Sequence, residues 1–213
     1  MKVEITNVTK RIRKALILDD VNLSFESGRI YGLSGPNGSG KTMLMRLIAG
    51  LILPTTGTVV FDGKRMGKDM DFYGSMGVLI ETPAFLPGFT GFQNLRLLAQ
   101  IRQSIDEQAI AQALKEVGLN PDDRRKFRKY SLGMKQRLGI AAAIMEKPDI
   151  ILLDEPTNAL DHDGVAEICD LIRREKERGA LILLTCHEAA VLEAVSDEVI
   201  LVSEGRFQKK VLP

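Results

Sequence analysis

Hydrophobic residues lie along the chain in two arrangements, one alternating with polar residues and one continuous. Near the N-terminus Val21, Leu23 and Phe25 alternate with polar neighbours, which is typical of a half-buried strand. The continuous apolar runs, which predict further strands, are 30–34, 77–80, 150–153 and 180–185. The run at 150–153 suits a central parallel strand that is covered on both faces. The chain is therefore expected to begin with antiparallel strands and to continue into a mostly parallel sheet.

Turn-forming residues separate several of these strands. The basic segment 10–14 is predicted to be the tip of a hairpin, with a solvated turn as the default interpretation. Residues 57–61 form a predicted strand that ends in a tight Asp-Gly turn. Near the C-terminus, 198–202 and 206–211 are predicted to pair as a hairpin around a Glu-Gly turn.

Helical periodicity dominates the remaining segments. Residues 43–49 suit a helix that ends at Gly50, and 164–178 suit a helix with one apolar face. From residue 92 to about 145 the pattern is helical throughout, so a helical subdomain is expected at about 85–146. The fold class predicted is α/β, a single domain over 1–213 with a mostly parallel central sheet, an N-terminal antiparallel β part and this helical insertion.

The strand at 30–34 and the helix at 43–49 flank a P-loop, the Gly-x4-Gly-Lys-Thr pattern that binds nucleotide phosphates. The strand-loop-helix context is the one that the motif requires, which argues against a chance match. The residues predicted to bind the nucleotide here are Gly35, Asn37, Gly38, Ser39, Gly40, Lys41, Thr42 and Met43. The fold class is therefore that of a P-loop NTPase.

Each residue type in the loop has a physical reason. Gly35, Gly38 and Gly40 are expected to take positive φ, so that backbone N–H groups at a helix N-terminus turn toward the β-phosphate. Lys41 adds a positive charge that reaches the β and γ phosphates, and the Thr42 hydroxyl can ligate Mg²⁺. ATP and Mg²⁺ are the expected cofactors.

Charge and composition narrow the classes of partner. The formal net charge of +1, with 27% charged residues among 213, leaves no global field to attract nucleic acid or anionic lipid. The basic run 124–129 is interpreted as a solvated face because no aromatic platform accompanies it. Cys169 and Cys186 fit no metal-ligand spacing and are expected to be reduced core residues.

No apolar run approaches the roughly 18 residues that are needed to cross a bilayer, and no N-terminal signal pattern is present. The chain is therefore expected to be soluble and cytoplasmic. A loop at 82–89 carries two prolines and several apolar residues. It either docks on a partner or folds back on the core, and docking is the favoured interpretation.

Five motifs occur in an order and spacing that resemble the ATP-binding subunit of an ABC transporter. They are the P-loop, a signature-like stretch at 131–136, Asp154-Glu155, a segment at 159–161 and His187. The resemblance covers nearly the whole chain. Within the family, the stretches 80–85 and 130–137 are most similar to ATPases of bacitracin- and lantibiotic-type exporters.

The resemblance implies roles for the acidic end of the strand at 150–153. Asp154 is expected to hold Mg²⁺ opposite Thr42, and Glu155 to orient and deprotonate the attacking water. An exposed acidic strand end is the alternative for Glu155. His187 is expected to be a catalytic switch residue that hydrogen-bonds the γ-phosphate, with a capped core histidine as its alternative. His162 lies in a polar loop and receives no role.

The resemblance also implies that two ATPase subunits enclose the nucleotide. Ser131 is expected to cap the signature helix, whose N-terminus faces the γ-phosphate held by the other subunit, with a plain helix cap as the alternative. Gly133 lets the backbone approach that phosphate, and Asp161 lies at the same seam. Hydrolysis then removes the ATP that joins the two subunits, so that the subunits can separate.

Three departures from the family pattern change the expectations. Glu81 stands where most relatives carry glutamine. Because a carboxylate is a stronger Mg²⁺ ligand than an amide, the ATPase is expected to depend more on Mg²⁺. The alternative is a subfamily variant whose metal dependence is unchanged. Alignment puts Ile12 where an aromatic ring commonly stacks on adenine, so base selectivity is expected to be loose. The signature itself carries Tyr130, Leu132 and Met134 in place of the usual residues.

The function predicted is an ATP-hydrolysing motor subunit that drives a separate membrane permease, with export of an antimicrobial peptide or another amphipathic compound as the expected task. We also expect a homodimer, with half of a heterodimer as the alternative, a position on the inner face of the cell membrane and no nucleic-acid partner. The alternative is a non-transport ABC ATPase that acts on a macromolecular complex. A P-loop kinase is disfavoured, because a kinase would not need the signature stretch.

Overall fold

The computed structural model describes residues 1–210, which form two β-sheets and six α-helices. The strands are β1 Lys2–Ile12, β2 Ala15–Glu26, β3 Ile30–Ser34, β4 Thr56–Phe61, β5 Lys64–Arg65, β6 Met76–Leu79, β7 Ile150–Leu153, β8 Leu181–Thr185, β9 Glu198–Ser203 and β10 Arg206–Lys209. The α-helices are α1 Lys41–Ile48, α2 Gly91–Arg102, α3 Glu107–Glu116, α4 Leu132–Ile144, α5 His162–Glu177 and α6 Ala189–Val195. Val211, the last residue of the predicted C-terminal hairpin, lies outside the described residues.

The N-terminal strands form an antiparallel sheet in the order β2-β1-β4-β5. Val3 of β1 lies opposite Phe25 of β2 on one side and Phe61 of β4 on the other. All three side chains are buried, because alternate residues of these strands face the core. The polar residues between them face solvent, as the alternating pattern predicts.

The second sheet has the order β10-β9-β3-β8-β7-β6, and all of its pairings are parallel except that of the β9–β10 hairpin. In a parallel sheet the carboxyl ends of the strands meet at one edge, where ligands commonly bind. The segments that leave β3, β7 and β8 at this edge begin with Gly35, Asp154 and Cys186. The sheet therefore collects the P-loop, the acidic pair and His187 at one place.

Alternation along the central strands divides the core in two. Ile150 and Leu152 of β7 pack toward α1 and the antiparallel sheet. Ile151 and Leu153, one residue out of phase, pack toward the side that α2–α6 cover. All four are buried, which explains why β7 is continuously apolar and not alternating.

The predicted α/β class, with its parallel sheet and antiparallel part, is confirmed. Several element bounds differ from the expectations by one or two residues. The helical stretch predicted over 92–145 is interrupted between α2 and α3 and again between α3 and α4, where Gly118 and Pro121 fall. The helix α5 begins at His162, not at Gly164, because the Asp161 carboxylate caps it by accepting the Gly164 N–H at 3.0 Å. His162 is therefore a helical residue and not a loop residue.

None of the helices in the part of the chain described here is long and apolar enough to cross a bilayer.

Candidate functional site

The P-loop curls around the N-terminus of α1 at the edge of the parallel sheet. Gly38 and Gly40 have φ of 78° and 113°, a conformation that glycine adopts without strain. The prediction of positive φ at Gly35 is wrong. Glycine is needed at that position because a Cβ would lie 2.1 Å from the carbonyl oxygen of Val202 in β9.

The Lys41 side chain folds over the loop that precedes it. Its Nζ donates to the carbonyl oxygens of Gly35 and Pro36 at 2.6 and 2.9 Å, and the residue is buried. Beside it lies a cavity of about 390 Å³. The lining residues are Ile17, Asn37, Gly38, Ser39, Gly40, Lys41, Thr42, Met43, Asp154, Glu155 and His187. The structure therefore brings the loop together with the acidic pair and the histidine.

Asp154, the first residue after β7, is buried and held by two hydroxyl groups. The Thr42 hydroxyl donates to Oδ2 at 2.6 Å, and the Thr185 hydroxyl donates to Oδ1 at 2.7 Å. A buried carboxylate is costly unless its oxygens are hydrogen-bonded, so these two donors fix its orientation. Asp154 and Thr42 thus lie side by side, which a shared cation site would require.

Among the described residues, no three Asp, Glu, His or Cys side chains form a cluster that could hold a metal ion. Thr42 and Asp154 nevertheless contribute one hydroxyl and one carboxylate on the same side of the cavity. These are hard oxygen donors of the kind that Mg²⁺ takes when phosphates and waters supply its remaining ligands. The donor set fits Mg²⁺ bound together with a nucleotide.

The Glu155 backbone has a φ of 54°, in the left-handed region. Its N–H donates to the Thr185 hydroxyl at 2.8 Å. Its carbonyl oxygen accepts the Gln136 side-chain amide at 2.8 Å and the Asn158 N–H at 3.1 Å. Both sides of this residue are therefore fixed by neighbours from other elements.

The Glu155 carboxylate points into the cavity and is about one-fifth exposed. His187 Nε2 lies 3.4 Å from Glu155 Oε2. Burial raises the pKa of Glu155 above its ordinary value, with Asp154 acting in the same direction, while His187 and Lys41 oppose the rise. A carboxylate whose basicity is raised in this way is suited to accept a proton from water.

The comparisons with known proteins agree with this geometry. The family model described as ABC transporter matches residues 18–158, which hold both the P-loop and the acidic pair.

The chain belongs to the ABC transporter family.

Similar proteins cover nearly its full length. An ABC transporter ATP-binding protein of Bacillus subtilis, YybJ, is 45% identical over 97% of this chain and 94% of its own. The bacitracin transport ATP-binding protein BcrA of Enterococcus faecalis is 39% identical over 98% of this chain and 68% of its own. The lantibiotic transport ATP-binding protein SrtF of Streptococcus pyogenes is 34% identical over 96% and 88%. This chain is an ATP-binding subunit, and the alternative of a non-transport ABC ATPase finds no support.

A solved structure carries the same fold with its ligands. The dimeric post-hydrolysis state of the ATP-binding cassette MJ0796, bound to ADP and Pi, is 26% identical, covers 99% of each chain and has a TM-score of 0.87. ATP-binding subunits of this family dimerise and pair with membrane permeases. Because the chain belongs to this family and resembles a cassette in its post-hydrolysis state, it is an ATPase.

The signature residues of this ABC ATPase lie outside the P-loop cavity of the same chain. Ser131 caps α4 by accepting the Met134 N–H at 3.2 Å, as predicted. A Cβ on Gly133 would lie 2.9 Å from the carbonyl oxygen of Ala159, so glycine here allows α4 to approach the segment before Asp161. Ser131 and Asp161 are exposed, and both cap helices.

Glu81 lies near the acidic pair, and its side chain contacts Arg46. Its carboxylate forms an ion pair with Arg46 of α1, and it is largely exposed. It also lines a second cavity of about 170 Å³ together with Gln136, Asp154 and Glu155. The predicted metal ligand is thus next to the predicted cation site and engaged by a cation of the protein itself.

Ile12, predicted to stand where an aromatic ring commonly stacks on adenine, does not line the P-loop cavity. Ile12 lies at the end of β1 and is 44% exposed, whereas half-buried Ile17 of β2 lines the P-loop cavity. The contact between Ile12 and the base therefore stays a prediction.

Three features that sequence reasoning did not assign to the site lie within it. Thr185 and Gln136 hold Glu155 by its backbone, and Ile17 lines the cavity. A threonine at the end of a buried strand, two residues before His187, is a signal that could have pointed to Thr185. Cys169 is buried, Cys186 is half-buried, and both are free thiols.

Proposed function

We propose that the chain is the motor subunit of an exporter, binding and hydrolysing Mg-ATP to drive a separate membrane permease. The observation that carries this proposal is the convergence of the P-loop, Asp154, Glu155 and His187 on one cavity. Positioning and charge neutralisation are what phosphoryl transfer demands of a protein. The site brings together backbone N–H donors of the P-loop, the buried ammonium of Lys41 and the carboxylates of Asp154 and Glu155.

The P-loop residues from Gly35 to Met43 bind the phosphates in this proposal. The backbone N–H groups at the start of α1 and the Lys41 ammonium meet their negative charge. Thr42, Asp154 and Glu81 are the residues that would hold Mg²⁺, which would supply positive charge beside the phosphates.

Glu155 orients the attacking water and accepts its proton in this proposal. Its carboxylate borders the cavity, and burial raises its pKa, which improves it as a base. His187, 3.4 Å from that carboxylate and exposed on the cavity side, is placed to hydrogen-bond the γ-phosphate.

A second copy of this chain completes the site. Ser131, Gly133 and Asp161 do not line the P-loop cavity of their own chain, which supports a role at the nucleotide of a partner. Ser131 is at the N-terminus of α4, where the helix dipole favours an anion. We therefore assign these three residues to the nucleotide site across a homodimer interface.

The permease docks on the helical subdomain, which we place at about 85–146 within the single domain 1–213. The loop 82–89 and α2 expose Leu86, Phe89 and Ile101, which supports an apolar contact there. The inner side of the same loop folds back, since the Phe85 ring packs edge-on against Phe127. In this proposal the subunit lies at the inner face of the membrane. The relatives named for bacitracin and lantibiotic transport support amphipathic peptides as the cargo.

ATPase assays of the purified chain test the catalytic part of the proposal. We expect His187→Ala to lower kcat by about 10²-fold, because a positioned hydrogen-bond donor to developing charge is lost. His162→Ala is the matched control, since its side chain is 99% exposed at the start of α5 and is expected to leave kcat unchanged. Equal kcat values in the two variants contradict the role of His187.

Growth assays of cells that co-express the chain with its permease test the cargo. Wild-type chain is expected to raise the inhibitory concentration of bacitracin or of a lantibiotic, and Lys41→Ala is expected to abolish the effect. Unchanged sensitivity to both peptides, with ATPase activity intact, contradicts the cargo and leaves the ATPase assignment standing.

A further inference from the structure

The backbone of Glu155 adopts a conformation that its own sequence disfavours. A positive φ, here 54°, is uncommon for a residue with a side chain as long as that of glutamate. The next residue is Pro156, and a residue before proline is further restricted by clash with the proline ring. Such conformations persist only where the surroundings hold them, and they concentrate at functional sites.

Thr185 supplies the hydrogen bonds that hold this conformation from one side. Its hydroxyl accepts the Glu155 N–H at 2.8 Å and donates its own proton to Asp154 Oδ1 at 2.7 Å. The residue is fully buried, with 0% exposure, so solvent does not reach the hydroxyl to take its place. One hydroxyl group thus connects the carboxylate of Asp154 to the backbone of Glu155.

The chemistry of these contacts selects a hydroxyl-bearing residue. The Glu155 backbone requires an acceptor and the Asp154 carboxylate requires a donor, and a hydroxyl is the small group that provides both at once. Threonine is also β-branched, which restricts χ1 and suits the final position of strand β8. Valine has nearly the same shape but offers neither function.

We propose that Thr185 is a positioning residue for ATP hydrolysis, whose hydroxyl sets the carboxylate of Asp154 and the backbone of Glu155 relative to each other. The inference rests on the proposed role of Glu155 as the residue that orients the attacking water. Gln136 of α4 holds the Glu155 carbonyl oxygen at 2.8 Å from the opposite side. The direction of the Glu155 side chain therefore depends on both contacts.

The first test compares Thr185→Val, which removes the hydroxyl at nearly constant volume, with Thr185→Ser, which keeps it. Thr185→Val is expected to lower kcat by about 10- to 100-fold, because small displacements of a catalytic group cost rate on that scale. KM for ATP and the dissociation constant for ATP without Mg²⁺, measured by equilibrium dialysis, are expected to stay within about threefold. Thr185→Ser is expected to restore kcat to within about threefold of wild type.

Thr157→Val is the matched control. Thr157 lies in the loop after Glu155, and within residues 1–210 its hydroxyl forms a hydrogen bond with the Cys186 sulfur, at 3.3 Å, and with neither carboxylate. Its kcat is expected to equal that of wild type. If Thr185→Val does not fold, as judged by circular dichroism, Thr185→Cys takes its place with the same thresholds, since a thiol is close in size and a weak donor.

A double-mutant cycle separates positioning from general destabilisation. If Thr185 acts through Glu155, adding Thr185→Val to Glu155→Gln is expected to change the residual kcat by less than about twofold. The inference is overturned if the fold loss of kcat in the double variant equals the product of the losses in the two single variants. It is also overturned if Thr185→Val has the kcat of wild type. Wild-type kcat in Glu155→Gln alone overturns the proposed role of Glu155, so the two failures are distinguishable.

Discussion

Replacing Tyr130 by phenylalanine removes a single hydroxyl from the signature region. Tyr130 is one of the departures from the family pattern, and the substitution tests whether its hydroxyl stabilises the fold. The hydroxyl accepts the N–H of Gly91 at 3.1 Å, and this contact is buried. Gly91 is the first residue of α2, so its N–H has no partner within the helix. Tyr130 thus joins the segment before Ser131 to the start of α2.

The magnitude follows from what the substitution leaves behind. A buried N–H without a partner costs about 1–3 kcal/mol, more than the net value of the hydrogen bond that was made. The ring keeps its contact with Phe127, whose centroid lies 5.9 Å away, so no packing term is added. For a chain of this size, each kcal/mol lowers Tm by roughly 2–4 °C.

Urea unfolding and thermal melts measure the effect, and Tyr73→Phe is the matched control. The Tyr73 hydroxyl meets Asp149 at 3.3 Å in an exposed setting, so its loss is expected to change the free energy of unfolding by less than about 0.5 kcal/mol. Equal stabilities of Tyr130→Phe and Tyr73→Phe, at an unchanged m-value, refute the reasoning.

Three further predictions concern two acidic residues of the site and one buried cysteine of α5. Because burial raises the folded-state pKa of Glu155, the folded protein keeps the carboxyl proton of Glu155 to a higher pH than the unfolded chain does. The free energy of unfolding therefore falls as pH rises above the ordinary glutamate pKa. Glu155→Gln is therefore expected to be more stable than wild type at pH 7 in EDTA but equal to it below about pH 4 in urea melts, and a less stable variant at pH 7 is the opposing result. Glu81→Gln is expected to shift the Mg²⁺ concentration for half-maximal ATPase, whereas an unchanged titration removes that hypothesis. Burial raises the pKa of Cys169, so mass spectrometry is expected to find it alkylated by iodoacetamide at pH 8 far more slowly in native buffer than in urea, and equal rates contradict this.

Patterns of local origin predicted most of the architecture. The alternation around Val21, the apolar run of β7 and the P-loop each report a local environment, and the structure places all three as expected. The cap at Ser131 was equally local, since the capped N–H lies three residues away. Helix ends were harder, because the cap at Asp161 begins α5 earlier than its apolar periodicity suggests.

Contacts between distant segments account for what the sequence did not predict. The requirement for glycine at Gly35 depends on Val202, which lies on a strand that joins β3 only in the folded sheet. Ile17 of β2 lines the P-loop cavity although it is distant from the loop in sequence, which no local pattern reports. Thr185 resembles any β-branched strand residue until the register of β7 and β8 puts it against Asp154.

The central claim is that two copies of this chain enclose ATP and that its hydrolysis separates them. The most direct measurement is the solution mass of Glu155→Gln by light scattering, with Mg-ATP and with Mg-ADP. Blocking water activation is expected to retain ATP, so the mass doubles with Mg-ATP and stays that of a monomer with Mg-ADP. A monomer under both conditions, with ATP bound, contradicts the claim.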